Sequence, residues 1–381
     1  MHLQLRDSET REIIKVFSNI ISLIWTERFR DLGDCELVMP LTKENVNLFI
    51  EDRYLKLYDS DTLMIIDNIA IDTDNEELTI IGHSFEAVLY RRIWHEWNNE
   101  TNKAPAHNIK DCFSTVMKKV FIDSIGNSKG KVDYVLYSVE NNDVPSDDIF
   151  TTPKNHYPQR GDGIGEYLYS LALVYNFGIR SEFNQEDKTI TFFIYDGQTK
   201  TNIVFSKARY NFKNSRLVKS TQELKTTAMV AGEGEGTERK IVTVAKSINR
   251  YTPEGELIDS NVEYLGIKQR EMFVDARDIQ KQSGESNNSY IERLRQRGRD
   301  NLFVNNFTQS IDGKVLNVGP YKLNVDYKLG DIVTVKDDFF HATVKIVEVI
   351  RSWDQNGYEI YPSFETLSLI NSTEIIETNI T

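Results

Sequence analysis

The stretch AMVAGEGEGTERKIVTV, residues 228–244, decides between two kinds of fold. Three alternating glycines, Gly232, Gly234 and Gly236, beside an apolar segment are typical of a phosphate-binding loop. In a dinucleotide-binding fold, however, such glycines open a helix whose N-terminus receives the phosphate. Here the β-branched run 241–245 follows, two glutamates lie inside the loop, and no Lys-Ser or Lys-Thr pair comes after it. The pattern therefore predicts a β-hairpin whose turn uses glycines at positive φ.

Strand patterns dominate the chain on both sides of this stretch. TLMIIDNIAIDTDNEELTIIGHS, residues 62–84, reads as two strands around the acidic turn Asp72-Thr73-Asp74-Asn75. HATVKIVEVIRSWDQNGYEIYPSF, residues 341–364, is a second hairpin pattern with Asn356-Gly357 at its turn. MHLQLRD, at the start, alternates with period two. These segments predict a fold built mainly from β-strands.

Helical periods are concentrated in a few segments. LTKENVNLFIE predicts a short helix capped by Thr42, and NIKDCFSTVMKKVFI predicts a helix after an Asn108 cap. GEYLYSLALVYNFG repeats the helical period and is predicted to end at Gly178, because glycine favours the left-handed conformation found there. KVDYVLYSV and KTITFFIYDG alternate as strands, and the latter places on one face Ile190, Phe192 and Ile194. This mixture predicts a compact α/β insertion.

The composition is typical of a globular protein and argues against a general nucleic-acid binder. The 381 residues are 40% hydrophobic and 27% charged, which is enough to bury a core and predicts two to three domains. The formal net charge of −13 lacks the basic footprint of a nucleic-acid-binding protein. No run of about 18 apolar residues predicts a transmembrane helix, and the start shows no signal-peptide pattern. Cys35 and Cys112 are interpreted as reduced, buried thiols.

No motif predicts a catalytic, cofactor-binding or metal site. The chain contains neither a Gly-x-Ser-x-Gly nor a His-Glu-x-x-His motif, and DTDNEE lacks the glycine and distal ligand of a calcium loop. RGDGIGEYLYSLA precedes a helix but lacks the third glycine of the dinucleotide fingerprint, so we interpret it as a loop that enters the helix. No two histidines have the i, i+3 or i+4 spacing of a compact metal motif, and all are interpreted as packing or surface residues: His2, His83, His95, His107, His156 and His341.

Two further clusters each allow a functional and a structural interpretation. RLRQRGR places four arginines close together, which suits either a nucleic-acid contact or a solvated or intersubunit face that offsets nearby acids: Arg293, Arg295, Arg297 and Arg299. The net negative charge favours the second interpretation. Trp94 and Trp97 suit either stacking on a sugar or a role in a core or interface, and we favour the core or interface.

Five short motifs follow one another along the chain: SLIWTERFRDLGDCELVMP (22–40), GHSFEAVLYRRI (82–93), AGEGEGTER (231–239), QREMFVDARDI (269–279) and VDYKLGDIVTV (325–335). In this order they resemble the tail-tip hub proteins of long-tailed phages, the siphovirus Gp37-like proteins, and the N-terminal part of tail-associated lysins. The first motif carries the resemblance through Trp25-Thr26, Arg28-Phe29 and Gly33, and the second through Arg91-Arg92. The resemblance covers residues 1–365.

The resemblance implies a fold like the baseplate hub of contractile phages: α+β, mainly β, with two tail-tube-like β-barrels interrupted by α/β insertion domains. The strand, insertion, strand, insertion, strand order read from the residues agrees with it. We expect these parts: the main part of the first barrel (1–95), the α/β insertion (96–205), the first part of the second barrel (206–250), a second insertion with a helix (251–300), strands that complete the barrels (301–365) and a C-terminal arm (366–381). Many longer relatives carry a C-terminal peptidase, lysozyme-like or receptor-binding extension, and we expect none after the last hairpin.

The resemblance also implies a structural, non-enzymatic role. A homotrimer would cap the tail tube, connect the sixfold tube or distal tail ring to threefold tip components, and open for DNA ejection. The implied partners are the distal tail protein ring, the tape measure protein and receptor-binding or tip proteins, with the host cell envelope met during infection. The protein would be made in the bacterial host cytoplasm and reside in the virion. Two alternatives stay open: a tail-associated cell-wall hydrolase and a host-carbohydrate-binding adhesion module.

A conduit for DNA predicts an acidic surface around the axis of the ring, because a basic channel would retain the phosphates. The phage DNA would then pass through without specific binding. Candidate lining residues are the turn acids Asp72, Asp74, Glu233 and Glu235. The arginines at 293–299 are expected away from the axis, at a subunit or partner interface.

Overall fold

The structure is a computed structural model, which describes residues 2–95, 108–122, 130–139, 158, 161–251, 257–305, 308–316 and 320–369. Its strands are β1 (Leu3–Arg6), β2 (Ile13–Phe17), β3 (Ser22–Arg28), β4 (Asp34–Pro40), β5 (Tyr54–Leu57), β6 (Leu63–Asp72), β7 (Glu77–Ser84), β8 (Val135–Ser138), β9 (Gly178–Phe183), β10 (Ile190–Tyr195), β11 (Thr199–Ser206), β12 (Phe212–Ser220), β13 (Thr227–Ala231), β14 (Ile241–Ala245), β15 (Ser247–Tyr251), β16 (Leu257–Glu263), β17 (Glu271–Asp275), β18 (Thr308–Val315), β19 (Ile332–Lys336), β20 (His341–Asp354) and β21 (Gly357–Leu369). Its α-helices are α1 (Lys43–Leu48), α2 (Ile109–Met117), α3 (Ile164–Tyr175) and α4 (Asn287–Val304). The prediction of a mainly β chain is confirmed.

The chain divides into two compact units. The first unit comprises residues 1–215, 312–335 and 344–365, and the second comprises 216–311, 336–343 and 366–381. The boundaries of this division fall inside five strands, β12, β18, β19, β20 and β21.

A 13-stranded sheet organises the first unit. Its main path is β12-β18-β21-β20-β3-β4-β7-β6-β5-β1-β2, and β11 joins it through β19, which borders β20. Within the part of the chain that the structure describes, this path is open and branches once, at β20. Trp25 lies opposite Cys35 on one side and Arg351 on the other. One core cluster beneath the sheet includes Leu3, Leu5, Trp25, Leu37, Leu55 and Ile80.

The acidic hairpin predicted between residues 62 and 84 is confirmed. Strands β6 and β7 pair antiparallel, with Asp72 opposite Glu77 at the turn. The Asp72 carboxylate accepts hydrogen bonds from the backbone N–H groups of Asp74 (2.9 Å) and Asn75 (3.0 Å). These bonds close the turn in the way that Asp commonly does, and they lower the pKa of Asp72.

A second, three-stranded sheet of the first unit has the order β8-β10-β9, and α2 and α3 belong to the same core cluster. The caps predicted for α1 and α2 are confirmed, since Thr42 accepts from the Asn45 N–H and Asn108 from the Asp111 N–H. The predicted end of α3 at Gly178 is wrong. Asn176, in the left-handed conformation, ends the helix. Gly178 instead begins β9, where a β-carbon would meet the rings of Tyr195 and Phe29 at 2.5–2.6 Å.

The second unit contains a three-stranded sheet in the order β14-β13-β17. Strand β13 pairs antiparallel with β14 and parallel with β17, and α4 packs on one face of the sheet. The hairpin predicted for residues 228–244 is thereby confirmed. Its core cluster consists of Ala228, Val230, Val274, Ala276, Tyr290, Leu294 and Leu302.

Candidate functional site

A polar cleft of about 150 Å³ lies within the first unit. Its walls come from β3, β7, β9, β10 and the 3-10 helix Phe85–Leu89, together with residues 324–329. The ionisable side chains at its lining are Glu27, Arg28, Asp31, Asp61, Glu86, Arg180, Glu182 and Lys328. The cleft therefore brings together ionisable side chains from distant parts of the sequence.

Glu86 is the buried carboxyl group of the polar cleft. Glu86 is 3% exposed. It lies two residues after Ser84, the last residue of β7, whose side chains alternate between buried and partly exposed. The backbone N–H of Ser181, at the middle of β9, donates a hydrogen bond to its carboxylate. Burial raises the pKa of Glu86, while hydrogen bonds from Ser84 and Ser181 partly oppose that shift. Glu86 thus fastens the end of β7 to β9.

The two arginines of the polar cleft are engaged by neighbouring groups. Arg28 donates from Nε to Glu348 (2.7 Å) and from Nη1 to the Leu32 carbonyl (2.7 Å), and it also pairs with Asp34. Arg180 pairs with Glu182 at 2.8 Å and lies 4.4 Å from the centre of the Tyr195 ring. As far as its lining is described, the cleft contains neither histidine nor cysteine. These arginine contacts fasten neighbouring strands to one another.

Buried ion pairs continue this fastening through β20. Arg351, whose side chain is 1% exposed, lies 2.8 Å from Glu27, and Trp25 Nε1 donates to the same carboxylate at 3.2 Å. Lys345, equally buried, lies 2.6 Å from Asp196. Removing one partner of such a pair leaves an uncompensated buried charge. These pairs therefore join β3 and the β10–β11 turn to β20.

Sequence reasoning did not single out these cleft and ion-pair residues. A signal was present in VEVIRSW, where Arg351 falls in phase with the buried Val349 on one face of β20. A charged residue in an apolar strand phase indicates a buried partner. The sequence separation of more than 300 residues between Arg351 and Glu27 hides which partner it is.

The Gly/Glu turn, residues 232–236, adopts a tight hairpin connection. Gly234 has φ +101° and Gly236 has φ +54°. Arg239 holds the turn by donating to the Gly232 carbonyl (2.9 Å) and to Asp275 (2.6 Å). The Glu233 N–H donates to the Tyr290 hydroxyl (3.1 Å). The Gly232 carbonyl and the Glu233 N–H of the turn are therefore engaged in hydrogen bonds with neighbouring side chains of the second unit.

Each arginine of RLRQRGR has an acidic neighbour. Arg293 pairs with Glu285 (2.7 Å), Arg297 with Asp278 (2.7 Å), and Arg295 and Arg299 share Glu292. The Arg293 side chain lowers the pKa of Glu285 to about 2. This agrees with the interpretation of a face that offsets nearby acids. The location of these arginines away from the axis of a ring stays a prediction.

The remaining candidates are placed individually. A core or interface role was predicted for both tryptophans; Trp94 is 2% exposed and lies in the core, whereas Trp97 lies outside the described residues. The other turn acids, Asp74 and Glu235, are exposed and Glu233 is partly exposed. His83 contacts Asp67 (2.6 Å), His2 and His95 are exposed, His341 is partly exposed, and His107 and His156 lie outside the described residues. In the described parts of the chain, no group of three or more His, Cys, Asp or Glu residues could hold a metal ion.

Both cysteines are buried and free, as predicted. Burial raises the pKa of Cys112 to about 12 and that of Cys35 still further from its ordinary range. Neither thiol is therefore activated as a nucleophile. Among the described helices, none combines the length and apolar character needed to cross a membrane.

Comparison with known proteins gives a consistent result. The family model described as "Siphovirus ReqiPepy6 Gp37-like protein" matches residues 2–364. A tail protein from Neisseria meningitidis MC58 has a similar structure, with a TM-score of 0.53, 11% identity and coverage of 96% of each chain. The 43 kDa tail protein of prophage MuSo2 from Shewanella oneidensis has a TM-score of 0.53 at 13% identity, covering 96% of this chain and 98% of the other. No curated protein matches. At these identities the two structures show a shared fold.

Proposed function

The chain belongs to the siphovirus ReqiPepy6 Gp37-like family, and we propose that three copies of it form the hub that caps the tail tube. It is a structural protein of the phage tail, and its family and the similar solved structures are tail proteins rather than enzymes. The observation that carries the proposal is the family match across residues 2–364, joined to the shared fold over 96% of the chain.

Two tail-tube-like β-barrels per copy are the finer part of this proposal. Strand β20 supports it, because this 14-residue strand borders β3, β21 and β19 and so serves more than one set of strands. A long strand with three neighbours suits a fold in which two curved sheets share a wall. The division into two barrels, two insertions and a C-terminal arm, with the boundaries predicted above, belongs to the same proposal.

A trimer with two barrels per copy would present six similar modules to a sixfold ring and three copies to threefold tip components. We accordingly propose the distal tail protein ring, the tape measure protein and receptor-binding or tip proteins as partners. The hub would open for DNA ejection and would meet the host envelope as a component of the virion tail. The polar cleft and its buried ion pairs would stiffen each copy around the conduit.

Native mass spectrometry of the full chain tests the trimer. A dominant trimer, or a monomer that becomes trimeric only with the distal tail ring, is expected. A stable dimer or tetramer would contradict the proposal. Incubation with purified peptidoglycan serves as the control for the hydrolase alternative, since release of muropeptides that one point substitution abolishes would favour it. Binding on a glycan array would favour the adhesion module.

A further inference from the structure

The polar cleft of the first unit has an exposed mouth and a buried polar floor. Asp31, Asp61 and Lys328 line the mouth and are exposed. Glu86 and Tyr195 line the floor and are 3% and 2% exposed. The cleft volume of about 150 Å³ is larger than the share of liquid volume that one water molecule takes, about 30 Å³. The cleft can therefore hold a small ligand.

Two buried polar atoms of the floor lack a hydrogen-bond partner in the part of the chain that the structure describes. They are Glu86 Oε2 and the Tyr195 hydroxyl oxygen. The other carboxylate oxygen of Glu86, Oε1, accepts from the Ser181 N–H. Nearly all buried polar groups of folded proteins are hydrogen-bonded, and an exception commonly marks the place of a bound water, ion or ligand. A ligand that donates hydrogen bonds would satisfy both atoms.

The two arginines of the lining are already engaged with acids. Arg28 pairs with Asp34 and Glu348, which lie outside the lining, and Arg180 pairs with Glu182. Each guanidinium charge is thus offset by its own neighbours. Neither arginine is left to compensate the remaining acids of the cleft.

Three acids of the lining have no such partner. Asp31, Asp61 and Glu86 form no ion pair with any described residue, and neither does Lys328. These acids outnumber the lysine, and a cleft with a surplus of one sign of charge attracts a ligand of the other sign. Because no group of three or more His, Cys, Asp or Glu among the described residues could hold a metal ion, an organic cation suits the cleft better.

We propose that the polar cleft binds a primary ammonium group on a slender alkyl chain. An ammonium group has three N–H donors around one compact positive charge. It can therefore donate to Glu86 Oε2 and to the Tyr195 hydroxyl while it offsets the acids of the mouth. A guanidinium group fits less well, since its two-pronged contact needs both oxygens of a carboxylate and Oε1 of Glu86 is engaged with Ser181.

The loops at the mouth suit the alkyl chain of such a ligand. Asn324 Nδ2 donates to the Asp59 carbonyl at 3.3 Å, which joins the segment 324–329 to the turn between β5 and β6. The neighbours of these two residues in sequence, Val325 and Tyr58, are 73% and 79% exposed. Methylene groups pack on apolar surface of this kind. The ammonium group can come from a lysine side chain of a partner protein or from a free polyamine.

Isothermal titration calorimetry of the full chain with n-butylammonium tests the site, in phosphate buffer at low salt. We expect saturable binding at a single site. Butan-1-ol has the same alkyl chain without the charge, and we expect it to give no saturable heat. The absence of saturable binding by n-butylammonium, or equal binding by the alcohol, would overturn the proposal.

Two variants of the floor locate the binding. Glu86→Gln removes a charge, and we expect it to weaken the binding of n-butylammonium at least about tenfold. Tyr195→Phe removes only a hydroxyl that has no partner among the described residues, and we expect a loss of at least about threefold. Glu9→Gln changes an exposed acid outside the lining and should leave the affinity unchanged. Equal affinities of all three variants would contradict binding at this floor.

Lys328 provides a test of opposite sign. Its positive charge at the mouth repels a bound cation, so we expect Lys328→Met to tighten the binding of n-butylammonium about threefold. Lys322→Met is the matched control, because Lys322 is also exposed but lies outside the lining. Weaker binding by Lys328→Met than by this control would show that the lysine helps to hold the ligand, and would overturn the assignment of a cation.

Three further ligands separate the sources of the ammonium group. Tighter binding of the peptide acetyl-Gly-Lys-Gly-amide than of putrescine would assign the site to a lysine of a partner protein, and the reverse would assign it to a free polyamine. Tighter binding of acetyl-Gly-Arg-Gly-amide than of the lysine peptide would overturn the choice of an ammonium group. Native mass spectrometry measures the trimer independently, so failure of this site leaves the proposed hub intact.

Discussion

Gly234 shows how one residue sets the geometry of the hairpin between β13 and β14. Its φ of +101° is unfavourable for any residue with a β-carbon, and such an atom would lie 3.0 Å from Arg239 Cα and from the Glu238 carbonyl. We expect Gly234→Ala to lower the free energy of unfolding by about 1–2 kcal/mol in chemical denaturation. Gly236→Ala is the matched control, because a β-carbon there has no neighbour within 4 Å and the smaller φ is better tolerated.

An equal or smaller loss for Gly234→Ala than for Gly236→Ala would contradict this account of the turn. The same variant addresses the nucleotide question. Saturable binding of ATP or NAD that Gly234→Ala abolishes would show that the turn is a phosphate loop after all, whereas the hairpin account predicts no such binding.

Glu86 links stability to pH. Its pKa is raised by burial, so the folded protein favours the neutral acid. The stability that the neutral Glu86 side chain contributes is present at pH values below the ordinary carboxyl pKa. It is lost as the pH rises through the raised pKa of Glu86. Glu86→Gln keeps a neutral acceptor for the Ser181 N–H. We therefore expect the variant to gain about 1 kcal/mol relative to the original chain between low and neutral pH.

Denaturation curves at several pH values measure this difference, with the exposed Glu9→Gln as the control. Parallel pH profiles for Glu86→Gln and the original chain would show that Glu86 is not held neutral by its surroundings.

Residue-level prediction succeeded where the physical cause is local. Thr42 and Asn108 cap helices that begin within three residues of them, and Gly234 supplies a positive φ to its own turn. The prediction that the helix ends at Gly178 was wrong. Glycine is required at this position because the distant rings of Phe29 and Tyr195 leave no room for a β-carbon, not because a helix ends there. Glu86 was not singled out for the same reason, since Ser181 is 95 residues away.

At the scale of elements, α4 depends on its ion pairs to different degrees. Arg293 reaches Glu285 through Nε (2.9 Å) and Nη2 (2.7 Å), and it also donates to the Gln280 carbonyl (2.8 Å). The Glu285 side chain is only 10% exposed. Arg295 forms an exposed contact of 3.6 Å with Glu292. We expect Arg293→Ala to lower the free energy of unfolding by about 1 kcal/mol and Arg295→Ala to leave it nearly unchanged.

The pH dependence has a defined sign. The pKa of Glu285 is lowered to about 2. The stability that its ionised side chain contributes is therefore present at pH values above the ordinary carboxyl pKa and is lost as the pH falls toward 2. Thermal unfolding at neutral pH and at pH 3 should show a smaller Arg293→Ala effect in acid. An equal effect of the two arginine variants would indicate that α4 is indifferent to these pairs.

Elements joined by short turns could be predicted, and distant pairings could not. The hairpins β6–β7 and β13–β14 follow from alternation and turn residues that adjoin in sequence. The parallel contact of β13 with β17 and the contact of β3 with β20 join segments about 40 and 320 residues apart. Hydrophobic alternation identifies a strand but not its neighbour, and the polar cleft depends on such neighbours.

For the whole molecule, the charge predicts weak interaction with DNA. Duplex DNA carries one negative charge per about 1.7 Å of its axis, and this chain carries a net charge of −13. We expect fluorescence anisotropy with a duplex to show no binding at micromolar protein in about 50 mM salt. Replacing the exposed acids Asp72 and Asp74 with lysine serves as a gain-of-binding comparison. Tight binding by the original chain that weakens steeply with salt would contradict a passive conduit.

The proposed hub at the tail tip is the central claim, and the family match, the shared fold and the β20 branch are the observations that support the proposal. A cryo-electron reconstruction of tails containing this chain, computed without imposed symmetry, tests it most directly. The account predicts three copies in one ring at the distal end of the tube, each presenting two similar β-rich modules to the sixfold side. Six copies, a single copy, or a position along the side of the tube would contradict it.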